Sequence, residues 1–252
     1  MGKKGFWIAS IGIIFGFIGG FFFANLLDRQ EIDSLKTKLA QAQEAQTQDA
    51  TKMELGEAGP DEPDLTPDEI RQKIQRADQN PSDIQYQKQL GMSLYLYAGA
   101  KKDAALLPEA KRLMLRAYEK DQKDQDLLLA LGNVSFDIGQ NKKDNKSLAE
   151  ARGYYGQALQ LKPGQADVQT DIGSTYYLEE PPQYEKALVE YRKSLELEPE
   201  HTRTLDNISR TLIMMGRLDE AAESLAKLKK IDANYPGISE LESLLAQKKG
   251  VK

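Results

Sequence analysis

The sequence predicts an all-α protein, in which a stack of helical hairpins follows an amino-terminal membrane helix and a short helical stalk. Three observations support this fold class. A run of 22 residues without a charged side chain extends from Phe6 to Leu27. A polar segment with heptad spacing comes directly after it. Beyond residue 84, small and apolar residues recur at similar offsets in four successive segments, with flanking helices before and after them.

The composition excludes several classes of function. The chain has no cysteine and a single histidine, His201, so thiolate and histidine-rich metal sites cannot form. The net charge of −5 leaves no basic excess to neutralise phosphates, and we expect no nucleic-acid partner. Phosphate loops and nucleophile elbows are absent, so we predict no catalytic residue, no cofactor, no metal and no enzymatic activity. His201 is expected at the surface, in a turn between repeats.

Residues 1–27 are predicted to be a transmembrane anchor. At 1.5 Å per residue, the uncharged run forms a helix of about 33 Å, enough for a hydrocarbon core of roughly 30 Å. Trp7 lies at one boundary, where an interfacial aromatic residue is expected. A cleaved signal peptide is the alternative, but its apolar core is usually shorter and ends in a small-x-small site. Phe22 occupies the position two residues before Ala24, so an uncleaved anchor is favoured.

The membrane segment also carries a spacing that is typical of paired helices. Small residues recur at every fourth position, which places them on one side of the helix: Gly12, Gly16, Gly20 and Ala24. Such a face allows close approach of a second helix. The alternative is that glycine is simply frequent in membrane helices.

Residues 28–48 are predicted to form a helical stalk with a short coiled-coil pattern. Its apolar residues are spaced 3-4-3: Ile32, Leu35, Leu39 and Ala42. Two heptads alone are too few to dimerise. Together with the membrane segment they predict a possible homodimer through residues 6–48, and a single helical stalk is the alternative.

Residues 49–65 are predicted to be an acidic flexible linker, because they contain six acidic residues, two prolines and little apolar content.

The charges that flank the membrane segment predict its orientation. Lys3 and Lys4 precede the segment, whereas Asp28 and Glu31 follow it. This charge distribution favours an amino terminus in the cytoplasm, although basic residues also follow the segment at Arg29, Lys36 and Lys38, so the opposite orientation stays open. We therefore expect a single-pass protein of a bacterial cytoplasmic membrane, with its repeats in the periplasm.

The repeats are marked by pairs of an apolar residue and glycine: Leu90-Gly91, Leu131-Gly132 and Ile172-Gly173, each 41 residues apart. A second helix follows each pair, with small and large residues at fixed offsets. In two repeats these residues are Ala151, Tyr155, Ala158 and Pro163, and Ala187, Tyr191, Ser194 and Pro199. This pattern resembles the tetratricopeptide repeat, a helix–turn–helix of 34 residues. The resemblance covers roughly residues 84–236 and implies a superhelix of about four stacked hairpins.

The helical domain is expected over residues 66–248. A capping box from Thr66 to Glu69 predicts its first helix. The repeats are placed at 84–122, 125–163, 166–199 and 202–235, with a capping helix at 237–247. The first two repeats each carry about seven extra residues, expected between their two helices.

By the geometry of the family, four positions on the first helix of each repeat face a groove. The resemblance therefore implies a partner-binding groove formed by Lys88, Met92, Tyr95, Leu129, Asn133, Phe136, Asp137, Thr170, Ser174, Tyr177, Asp206, Arg210 and Met214. Three of these are aromatic at the same repeat position, which suits a segment with apolar anchors. The alternative is that the aromatic residues pack in the core.

The resemblance implies a scaffold or adaptor that binds a protein or peptide segment. Members with a membrane anchor include assembly factors for c-type cytochromes and accessory subunits of protein export. The second hypothesis is a structural, self-associating repeat protein without a dedicated client.

Overall fold

The computed structural model describes residues 66–250, which form ten α-helices and one 3-10 turn. The chain divides into two compact units between Lys120 and Asp121. The predicted membrane anchor (1–27), stalk (28–48) and linker (49–65) lie outside the described residues. None of the helices over residues 66–250 is long and apolar enough to cross a membrane.

Unit 1 contains the helices α1 (Pro67–Gln79), α2 (Ile84–Lys101) and α3 (Leu107–Tyr118), with a 3-10 turn (Ala104–Leu106) before α3. The capping box predicted at the start of α1 is confirmed. The Thr66 hydroxyl accepts a hydrogen bond from the Glu69 N–H at 3.2 Å, and the Thr66 N–H donates to Glu69 Oε2 at 2.7 Å. Two backbone donors are thereby satisfied, and Pro67 supplies a pre-set φ at the first helical position.

Polar contacts attach α1 to the hairpin formed by α2 and α3. Gln87 is fully buried, and its side-chain amide donates to the Ala77 carbonyl at 2.6 Å. The Asp78 carboxylate accepts hydrogen bonds from Arg112 at 2.8 Å and from Arg116 at 2.6 Å. These bonds hold the carboxyl-terminal end of α1 on the first repeat.

Unit 2 contains three hairpins and a terminal helix. The hairpins are α4 (Gln125–Lys142) with α5 (Asn145–Leu161), α6 (Ala166–Leu178) with α7 (Tyr184–Leu197), and α8 (Thr202–Met214) with α9 (Leu218–Ile231). The terminal helix α10 (Ile238–Gly250) packs on α8 and α9. Each hairpin thus consists of a first helix (α4, α6 or α8) and a second helix (α5, α7 or α9).

The extra residues of the first two repeats mostly lengthen their first helices, and the expectation that they lie between the helices is corrected. Helices α2 and α4 each have 18 residues, whereas α6 and α8 each have 13. Only residues 143–144 separate α4 from α5. The residues that follow the long helices, Lys102 and Lys143, are both left-handed with φ of 53°.

The glycines of the repeat pattern lie where the two helices of a hairpin touch. A Cβ atom on Gly132 would lie 2.4 Å from Cε1 of Tyr155, and one on Gly173 would lie 2.5 Å from Cδ1 of Tyr191. Normal carbon–carbon contacts are about 3.5–4.0 Å. Since both tyrosines are almost fully buried, the rings fill the space that the missing side chains leave.

Candidate protein-binding face

The candidate site in unit 2 is the face formed by α4, α6 and α8, which we call the inner face. Seven of its predicted residues are partly exposed there, and Met214 is 44% exposed. The seven are Leu129, Asn133, Phe136, Asp137, Ser174, Tyr177 and Arg210. The remaining two, Thr170 and Asp206, are buried. Lys88, Met92 and Tyr95 are partly exposed on α2, in the other unit.

Each of the three first helices carries a large apolar or aromatic side chain that is at least partly exposed: Phe136 on α4, Tyr177 on α6 and Met214 on α8. Phe136 packs partly against a core cluster of Ala151, Tyr155 and Val168. Tyr177 packs against the core formed by α7 to α10, and its ring centroid lies 5.5 Å from that of Tyr184. The aromatic residues therefore have one side in the core and another side exposed.

The hydroxyl groups of two buried tyrosines on the second helices form hydrogen bonds with residues of the inner face. Tyr155 donates to Oδ1 of Asn133 at 2.8 Å, and Tyr191 donates to Oγ of Ser174 at 3.3 Å. Asn207 on α8 also donates to the same Ser174 oxygen, at 3.3 Å. Burial raises the pKa of Tyr191, which keeps its phenol protonated and able to donate.

Ion pairs join successive first helices along the inner face. Arg203 on α8 contacts Asp167 and Asp171 on α6. Burial raises the pKa of Asp171, and the hydrogen bond from Arg203 opposes that shift. Arg203 was missed by sequence reasoning. The available signal was the opposite charge of Asp167, which lies 36 residues earlier at the equivalent repeat position.

Arg210, predicted as a binding residue, is paired within the fold. Its guanidinium donates to both carboxylate oxygens of Glu240 on α10, at 2.6 and 3.1 Å, and it contacts Asp206 at 3.4 Å. The hydrogen bond from Arg210 lowers the pKa of Glu240, whereas burial raises that of Asp206. Such a pair fixes α10 on α8 and leaves less of the Arg210 charge for a ligand.

Thr170, also predicted as a binding residue, is not available to a partner, and its assignment to the groove is corrected. Its side chain is fully buried in a cluster of hydroxyl groups at the junction of α6, α7 and α8. Its oxygen lies 2.9 Å from Ser194 Oγ and donates to the Ala166 carbonyl at 2.8 Å. Thr204 Oγ1 completes the cluster, 2.9 Å from Ser194 Oγ. Threonine is compatible with both exposed and buried positions of a helix, so the sequence did not indicate that Thr170 is buried.

The expected surface position of His201 is also corrected. Its side chain is only 12% exposed, and its Nε2 lies 3.2 Å from the Asp167 carboxylate. The other ring nitrogen contacts the Thr204 hydroxyl. His201 therefore joins the start of α8 to the start of α6. Over residues 66–250, no group of three or more acidic or histidine side chains is arranged to hold a metal ion.

Repeated hairpins with a half-apolar inner face define a class of helical-repeat proteins that bind other proteins. Residues 183–247 match the model of the tetratricopeptide repeat family. The match covers 65 of the 252 residues and, together with the repeated hairpins, supports the predicted repeat family for this part of the chain. Proteins of this family are in general scaffolds, not enzymes, and bind peptides or proteins.

Solved structures with a similar fold include two of the MamA protein. One is 20% identical with a TM-score of 0.52, covering 67% of this chain and 85% of that one. The other is also 20% identical with a TM-score of 0.52, covering 66% and 90%. A thermophilic TPR protein of Thermus thermophilus is 17% identical with a TM-score of 0.49, covering 71% and 88%. No curated protein is significantly similar to the chain in sequence.

Proposed function

We propose that this protein is a membrane-anchored adaptor that binds a segment of another protein on the inner face of unit 2. One observation carries the proposal. Phe136, Tyr177 and Met214 lie on three successive first helices; the first two are partly exposed, and Met214 is 44% exposed. Exposed large side chains on successive helices provide anchoring positions for the apolar residues of a partner.

The polar groups of the inner face favour apolar anchoring over ion pairing. Arg203 and Arg210 already contact carboxylates of neighbouring helices. A ligand carboxylate would have to displace one of these partners, and the displaced group would then need another partner. We infer that affinity comes from aromatic or aliphatic side chains of the client.

The test compares two double variants of the full chain in detergent. Phe136→Ala with Tyr177→Ala removes two anchoring positions. Leu161→Ala with Leu197→Ala removes two other large apolar residues, 42% and 48% exposed at the ends of α5 and α7. We expect the first pair to abolish capture of the client from a bacterial extract, and the second pair to leave it intact. Equal capture by both would refute the inner face as the binding surface.

We further propose that the repeats lie in the periplasm and assist the assembly of an envelope complex, as in c-type cytochrome maturation or protein export. The uncharged run at residues 6–27 and the lysines before it support this proposal. Protease added to intact spheroplasts should digest a tag at the carboxyl terminus. Protection of the tag until the membrane is lysed would place the repeats in the cytoplasm and exclude this role.

A second candidate is a self-associating structural protein without a dedicated client. The spacing of Gly12, Gly16 and Gly20 favours it, because small residues on one face allow membrane helices to pair. Light scattering of the full chain in detergent should then give the mass of a dimer. Gly16→Ile should reduce it to a monomer, whereas Phe136→Ala with Tyr177→Ala should leave self-association intact under this candidate.

A further inference from the structure

Two buried tyrosines contact the inner face from behind. The Tyr155 ring is 2% exposed and lies against the backbone of α4 at Gly132, where a Cβ would be 2.4 Å away. The ring is therefore held between α4 and α5, and its hydroxyl reaches the inner face. The same arrangement recurs one repeat later, where Tyr191 passes Gly173.

The hydroxyl of Tyr155 determines how the amide of Asn133 is oriented. The phenol donates to Oδ1 of Asn133 at 2.8 Å, so the oxygen of this amide faces the protein interior. The Nδ2 group lies on the opposite side of the amide and carries two N–H donors. Among the described residues, none accepts a hydrogen bond from this Nδ2. A partly exposed pair of donors thus remains on the inner face.

The second tyrosine leads to the opposite polarity on α8. Ser174 Oγ donates to the Thr170 carbonyl at 3.1 Å and accepts from both Tyr191 and Asn207, so its hydrogen-bonding capacity is used. The Nδ2 group of Asn207 is held by this oxygen. Its Oδ1 acceptor has no partner within the part of the chain that the structure describes.

We propose that Tyr155 and Tyr191 are positioning residues, which orient Asn133 and Asn207 to bind the main chain of an extended client segment. This inference rests on the proposed function. An extended chain presents carbonyl acceptors and N–H donors, which match the Asn133 donors and the Asn207 acceptor. Packed helices are about 10 Å apart, so α4 and α8 are separated by roughly 20 Å. That distance corresponds to about six residues of extended chain.

The probe is a peptide selected on the wild-type full chain, in detergent micelles, from a phage-displayed library of random twelve-residue sequences. Each amide of the selected peptide is then replaced in turn by an ester, which weakens one carbonyl acceptor and removes one N–H donor. We expect one ester to lower affinity about fivefold through Asn133, and another, about six residues away, through Asn207.

Tyr155→Phe removes only the hydroxyl. It should weaken binding of the parent peptide about fivefold, and the Asn133-sensitive ester should then cause no further loss. Asn133→Ala should abolish the same ester effect without any change in the core. The matched control is Tyr86→Phe in unit 1, where the hydroxyl of a buried tyrosine donates to the Lys73 carbonyl at 3.3 Å. This control should leave affinity and the ester pattern unchanged.

Equal ester effects in wild type and Tyr155→Phe would show that the hydroxyl is structural only, and would overturn the inference. If the ester effects are equal but Phe136→Ala still lowers the affinity of the same peptide, the proposed function holds and only this inference fails. If no peptide is selected, or the peptide binds Phe136→Ala with Tyr177→Ala as well as wild type, both the proposed function and this inference fail.

Discussion

Replacing Gly132 by alanine tests the contact that joins the two helices of the second hairpin. The new Cβ would lie 2.4, 2.6 and 3.0 Å from three carbons of the Tyr155 ring. A normal contact needs about 3.5 Å or more, so the ring or the helix must move by roughly 1 Å. Tyr155 is 2% exposed, and in a close-packed interior the strain must be shared with the backbone.

The expected cost follows from two opposing terms. Overpacking of a core by one carbon at such a distance costs about 3 kcal/mol. Alanine is favoured over glycine in a helix by about 1 kcal/mol. Gly132→Ala should therefore lower the free energy of unfolding by about 2 kcal/mol.

Gly156→Ala is the matched control, because Gly156 lies inside α5 and an added Cβ would meet nothing within 4 Å. Only the helix-propensity term applies there, so the free energy of unfolding should rise by up to about 1 kcal/mol. Urea denaturation of both variants, followed by circular dichroism, measures the difference of about 3 kcal/mol. The reasoning is refuted if both substitutions stabilise the protein to the same extent.

The remaining predictions concern buried hydroxyls and pH. Ser194→Ala should destabilise the protein by about 1–3 kcal/mol, since Ser194 Oγ has hydrogen-bond partners in the buried cluster. Ser135→Ala is the same chemical change at a fully buried oxygen that has no partner in the described structure, so thermal denaturation should show no loss or a gain. The hydrogen bond from Arg112 lowers the pKa of Asp78 below its ordinary value of 3.8. Asp78→Asn should therefore destabilise the protein at neutral pH, and this effect should vanish as pH falls through the lowered pKa; a difference that persists in strong acid would contradict the assignment.

The positions of several helices could be predicted from the sequence. The capping box at Thr66 predicted the start of α1, and the pairs ending in Gly132 and Gly173 identified the first helices of their hairpins. These features could be predicted because they act locally or recur at a fixed offset. Glycine is needed at Gly132 and Gly173 because a tyrosine ring of the second helix packs directly against each of them. Both contacts lie within a single hairpin.

Features that depend on contacts between hairpins could not be predicted in the same way. The burial of Thr170 depends on Ser194 and Thr204, which belong to other helices. The partner of Arg210 is Glu240, 30 residues later on the terminal helix. The position of a residue in the repeat predicts which face of the helix carries its side chain. Whether that side chain is exposed depends on how the neighbouring hairpin packs against it.

The unequal lengths of the first helices give the inner face an asymmetric boundary. Helix α4 has five residues more than α6 or α8, which at 1.5 Å per residue is about 7.5 Å. This is more than the spacing of about 4.8 Å between neighbouring extended chains. If a client lies across Phe136 and Tyr177 as proposed, the last turn of α4 before Lys143 borders it on one side. On the proposed function, selectivity would then arise from exclusion as well as attraction, because a bulky client side chain on that side would meet this turn.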